Sequence, residues 1–160
     1  MPPDELVRTH AREKARSVAA APGDGPVIGV DTAVVLDDDT VLGKPPDAAA
    51  ARGMLERLAG RPHRVLSGLA VRADGHEVVG HAATVVRFRA LTAAELAAYV
   101  ASGEWQGRAG GYAIQGLGAG LVTGIEGDYA NVVGLPVALL VATLAGVGYP
   151  LLAGKPAPGG

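Results

Sequence analysis

The chain has 160 residues, a formal net charge of −2, 49% apolar residues and no cysteine. That length makes one ordinary domain with a buried core, and the missing cysteines exclude disulfide frameworks, thiolate zinc sites and a Cys nucleophile. No basic block is present, which argues against nucleic-acid or membrane-surface partners, because both need a positive field.

The first segment, MPPDELVRTHAREKAR, is charged and lacks the apolar run of a secretory signal, so a cytoplasmic location is expected. Asp4 is placed to cap a helix with Val7, Ala11, Ala15 and Val18 on one face, ending before Ala21-Pro22-Gly23. Val27 to Leu36 reads as a strand, Asp37-Asp38-Asp39 as a turn and Thr40 to Leu42 as a short second strand. Asp47 opens a second helix that turns Ala51, Met54, Leu55 and Leu58 inward and stops at Gly60. His63 to Val71 and Glu77 to Phe88 flank Asp74-Gly75, a hairpin signal. LTAAE holds a capping box, Thr92 with Glu95, for a third helix that stops at Gly103. Tyr112 to Ile125 is punctuated by glycines and reads as a bent strand pair. Pro136 starts a last helix that runs to about Leu144. The apolar stretch around it is broken by Gly134, Pro136, Gly146, Gly148 and Pro150, which favours a buried helix over a membrane span. Interleaved helices and strands with one hairpin predict an α/β fold, a mixed sheet flanked by helices, over residues 1–150. Residues 151–160, ending in GKPAPGG, are expected to form a flexible tail.

Two segments carry candidate chemistry. In GVDTAVVLDDDTVLGKP, Asp31 follows the apolar run VIGV and is expected near the end of a core strand, where α/β sheets gather ligands. A carboxylate there can hold a divalent metal or accept a proton from water, and it can equally cap a local turn. Thr32 beside it offers a hydroxyl or is an ordinary strand residue. Lys44, between Gly43 and Pro45, can meet a phosphate as a point charge, or simply be solvated before a Pro-Pro turn. Lys14 in REKA borders the apolar face of its helix, where a Lys usually snorkels. In GRAGGYAIQGLGAG, small residues allow close backbone approach to a ligand, Arg108 can clamp phosphate and Gln115 can read a base edge. This cluster matches neither the P-loop nor the dinucleotide fingerprint, so a plain glycine-rich bend remains open. His10, His63, His76 and His81 show no metal spacing and read as structural or surface groups. Glu126 and Asp128 fit turn chemistry better than metal binding.

DTAVVLDDDTVLGKPPD, LAGRPHRVLSG, RAGGYAIQGLGAG and GDYANVVGLP, in this order and spacing, resemble the Maf family of nucleoside triphosphate pyrophosphatases, from about Glu5 to Leu144. The resemblance implies an inosine-triphosphatase-like α/β fold, a homodimer, a divalent metal (Mg²⁺ or Mn²⁺), and hydrolysis of a nucleoside triphosphate to monophosphate and pyrophosphate. It implies that Asp31 is the catalytic proton acceptor and a metal ligand, with Lys44 a catalytic partner. Thr32 and Gln115 fall on positions linked to base selectivity, and Lys14 and Arg108 on the phosphate side. YAIQG with Gln115 points to the dTTP/UTP branch. Arg108 and Ser67 stand where the family commonly has Lys and Thr. The family opens with a strand, an SxSPRR loop and an acidic segment, whereas this sequence begins at the first helix; a domain truncated at its N-terminus relative to the family is therefore expected. Family members are also named as septum-formation inhibitors. An impaired nucleotide-binding or regulatory remnant, acting through protein contacts, stays open as the alternative.

Overall fold

The computed structural model describes residues 1–21 and 23–153. Its elements follow the chain as α1 (Pro3–Arg16), β1 (Val27–Val35), β2 (Val41–Leu42), α2 (Ala48–Leu58), β3 (Pro62–Ala73), β4 (His76–Phe88), α3 (Ala93–Ala101), β5 (Val122–Glu126), α4 (Tyr129–Val133) and α5 (Val137–Gly146). The strands form one sheet in the order β2-β1-β3-β4-β5. The α/β class with flanking helices is as expected. Within the sheet, every pairing among the described residues is antiparallel rather than mixed. The cause is the long β3–β4 hairpin at the centre, with β1 laid antiparallel along its other side. Asp74 (φ 50°) and Gly75 (φ 82°) make the tight turn that sets the hairpin register.

Side chains alternate across the sheet and divide the core into two layers. On one face, Val7 of α1 packs with Ala33, Val35 and Leu66, and Ala11 and Ala15 pack on Ala70. On the other face, α2 and α3 close over Val34, Val65, Val86 and Phe88, while α5 covers Leu69 and Val71. Asp47 caps α2 by accepting from the Ala50 amide at 2.8 Å, and the Thr92–Glu95 capping box opens α3. No helix among the described residues is long and apolar enough to cross a membrane.

Some elements differ from expectation. Pro2, not Asp4, occupies the cap of α1; Asp4 sits in the first turn and pairs with Arg8 at 3.1 Å. Val18 lies beyond the helix and is half exposed. Of the segment Tyr112 to Ile125, expected as a bent strand pair, the end is strand in β5, whereas Gly116–Leu121 is a 3₁₀ turn; another 3₁₀ turn, Ala109–Gly111, precedes the segment. Positive φ at Gly116 is incompatible with a strand ladder, so a hydrogen-bonded turn replaces it there. The short helix α4 was not foreseen; Asp128 caps it by accepting from the Ala130 amide at 2.8 Å. Of the expected C-terminal tail, residues 154–160 lie outside the described residues.

Candidate active site

Asp31 sits at the middle of β1, opposite Gly68 of β3, not near the strand's end as expected. Its side chain points to the α1 face. A seam of small residues lets α1 lie directly on the sheet there. A Cβ at Gly68 would run into the Val7 carbonyl oxygen, and one at Gly29 into the Ala11 carbonyl oxygen. This close approach brings two side chains of α1 onto the carboxylate. Lys14 Nζ lies 2.9 Å from Asp31 Oδ1 and also donates to the Val30 carbonyl at 3.1 Å. His10 Nδ1 lies 3.2 Å from Asp31 Oδ2. Both oxygens of Asp31 are thus engaged, and the group is about one-fifth exposed.

The contact with His10 escaped the sequence reading, which took it for a structural or surface group. The signal was present in the spacing: His10 and Lys14 are four residues apart and share a helix face.

The opposite wall is a strap, residues 107–115, without regular strand structure. Gly110 (φ 74°) lies against Val34, where a Cβ would come within 2.8 Å of Val34 Cγ2, and its amide donates to the Gly43 carbonyl at 3.1 Å. That bond ties the strap to the loop carrying Lys44. Further along, the Ala113 amide donates to the Tyr99 hydroxyl at 3.1 Å. Glu104 accepts from Tyr99 and from the Leu117 and Gly118 amides, and these backbone bonds hold its carboxyl below the usual range. Thr32 Oγ1 lies 2.9 Å from Ser67 Oγ. At the third side, Asn131 is fully buried and donates to the Val65 carbonyl and to Thr84 Oγ1, both at 3.0 Å. It pins α4, so that Val132, Val133 and Gly134 border the same space.

Between these walls lies a cleft of about 280 Å³, and all six residues expected at the site line it: Lys14, Asp31, Thr32, Lys44, Arg108 and Gln115. Among the described residues, three cationic side chains and one carboxylate line the cleft, a balance suited to a polyanion. His63, His76 and His81 are outside it, as are Glu126 and Asp128. A second cleft of about 500 Å³, beside the β3–β4 turn, contains none of the six. Its Glu77 is bonded bidentately to Arg16 and flanked by Arg12 and Arg72, which pins α1 to the hairpin.

Residues 1–147 match the family described as Maf-like protein. The chain belongs to the Maf family. Its relatives include a dTTP/UTP pyrophosphatase of Symbiobacterium thermophilum, 47% identical over 95% of this chain and 78% of that protein. One of Moorella thermoacetica is 52% identical over 91% of this chain and 75% of that protein, and one of Alcanivorax borkumensis 48% over 88% and 72%.

For a Maf-family chain the donor set decides what metal chemistry fits. Among the described residues, no group of three or more His, Cys, Asp or Glu side chains is placed to hold an ion. Asp31 is the only carboxylate among the described residues that line the cleft. A closed protein cage does not fit. An ion of the Mg²⁺ type fits, because such ions are commonly held by one or two carboxylates with substrate phosphates completing the shell.

Proposed function

We propose that this chain hydrolyses dTTP and UTP, releasing pyrophosphate and leaving the monophosphate. The observation that carries the reading is one cleft lined by Asp31, Lys14, Lys44, Arg108 and Gln115, with Lys14 paired to Asp31. The names of the relatives support the choice of pyrimidine triphosphates.

In this reading water attacks the α-phosphorus and the bond to the bridging oxygen of the β-phosphate breaks. Asp31 takes the water's proton, and the electron pair of the broken bond leaves on pyrophosphate. Lys14 and His10 hold the carboxylate in position for that transfer. Lys44 and Arg108 stabilise the charge gathered on the departing pyrophosphate. Gln115, which can both donate and accept, reads the edge of the base, with Thr32 beside it. Asp31 would hold a divalent cation, Mg²⁺ or Mn²⁺, together with triphosphate oxygens; when bound, the ion offsets phosphate charge and polarises the reacting centre. We take the enzyme to be a cytoplasmic homodimer whose catalytic domain spans residues 1–150.

The test is pyrophosphate release from dTTP, UTP and GTP with Mg²⁺, alongside calorimetric titration of the same nucleotides. Faster turnover and tighter binding of the pyrimidine nucleotides are expected. Tighter binding of GTP rejects the base assignment. Pyrimidine nucleotide binding with no pyrophosphate release supports the nucleotide-binding alternative instead.

A further inference from the structure

Behind the strap two buried polar side chains meet, one lining the cleft and one outside it. His63 on β3 is 2% exposed and Tyr112 is 5% exposed, and His63 Nε2 lies 2.7 Å from the Tyr112 hydroxyl. Phe88 packs edge-on against both, with ring centroids 5.1 Å from His63 and 4.7 Å from Tyr112. Tyr112 lines the cleft at the centre of the strap, four residues after Arg108 and three before Gln115.

We infer that His63 is a positioning residue, holding Arg108 and Gln115 in place through its hydrogen bond to Tyr112. The inference rests on the proposed triphosphate reading of the cleft. Its physical basis is the scarcity of other anchors. The strap makes no strand ladder, and its further ties are the Arg108 amide to the Trp105 carbonyl, the Gly110 amide to Gly43 and the Ala113 amide to Tyr99. Tyr112 is the anchor between them.

The energetics of the pair point the same way. Burial lowers the His63 pKa to about 4, so the ring is neutral near pH 7, with one nitrogen a donor and the other an acceptor. Among the described residues only Nε2 has a partner, and Nδ1 is buried without one. An unpaired buried polar atom costs stability, and an apolar ring of similar shape would pack here without that cost. The imidazole is therefore a poor choice for stability alone, while its bond to Tyr112 fixes the strap.

The test compares His63→Phe, Tyr112→Phe, the double variant and His63→Gln, which keeps a hydrogen-bonding group near the Nε2 position. Each single Phe variant is expected to lower kcat/KM for dTTP by about tenfold, the scale of one lost neutral hydrogen bond. The double variant leaves no orphaned group between the rings. It is expected to regain the melting temperature of the wild type but not its kcat/KM, and His63→Gln to recover activity in part. In the unliganded protein, amide hydrogen exchange should accelerate in residues 107–115 of both single variants and stay unchanged in the β3–β4 turn. Wild-type kcat/KM in the double variant overturns the inference, as does exchange that accelerates equally throughout the molecule. If the wild type turns over neither dTTP nor UTP, the proposed function fails, while the exchange measurement still decides whether His63 holds the strap.

Discussion

The two walls of the cleft solve the same problem by different means. On the α1–β1 side, regular elements carry the charged groups. Asp31 is placed by strand register, and His10 and Lys14 by helical spacing over a seam of Gly and Ala. On the strap side there is no ladder to set register. Position comes instead from individual bonds to Gly43, Tyr99 and His63. The contrast teaches where each wall is vulnerable. A helix held by close packing is broken by added volume, because interiors are filled to crystal density. An irregular segment is loosened by losing one hydrogen bond, because few others share its load.

The largest expected effect bears on the first wall. Asp31→Asn keeps the shape and the strand position but removes the base and the negative charge. It should lower pyrophosphate release from dTTP by about 10²-fold or more, with little change in melting temperature. Activity within a few-fold of the wild type would make Asp31 structural and would undo the comparison on its chemically active side.

The next effect separates the second wall by pH. His63 has its pKa lowered by burial to about 4, against 6.5 for a free imidazole. As pH falls, the unfolded chain takes up the proton first, so stability is fully present above 6.5 and is lost progressively towards 4. The span corresponds to about 3 kcal/mol. Glu95, held down to about 2 chiefly by its hydrogen bond to Arg89, keeps its stabilising contribution above 4.5 and loses it only below that pH. The slope of unfolding free energy between pH 6.5 and 4.5 should therefore shrink in His63→Phe. An unchanged slope would mean that the buried imidazole is not neutral in the folded protein.

The smallest effect returns to the helix seam. Gly68→Ala drives a methyl into the Val7 carbonyl and should destabilise the fold by about 1–3 kcal/mol, with turnover falling as α1 shifts His10 and Lys14 off Asp31. Gly53→Ala in α2 meets nothing within 4 Å and should be neutral or stabilising by up to about 1 kcal/mol. Equal behaviour of the two variants in denaturant unfolding would show that packing at the seam is not what positions α1.

Much of this architecture was legible locally. The caps at Asp47 and Thr92, the Asp74-Gly75 turn and the helical stripe Val7–Ala11–Ala15 are short-range signals, and each appears in the structure as read. The six site residues were named from motif and residue chemistry, and they line one cleft. Less was legible where glycines accumulate. A run such as GLGAG, residues 116–120, permits many backbone paths, so a 3₁₀ turn stands where a strand is expected.

The sequence alone determined the capped helices, the hairpin turn and the chemical inventory of the cleft, because caps, turn residues and apolar periodicity act within a few residues of one another. The tertiary structure decided the antiparallel order of the sheet, the placing of His10 against Asp31 across 21 residues, and the meeting of His63 with Tyr112 across 49. Those depend on which glycine lies beneath which carbonyl and which ring fills which gap. Such contacts between distant segments exist only once the layers have packed.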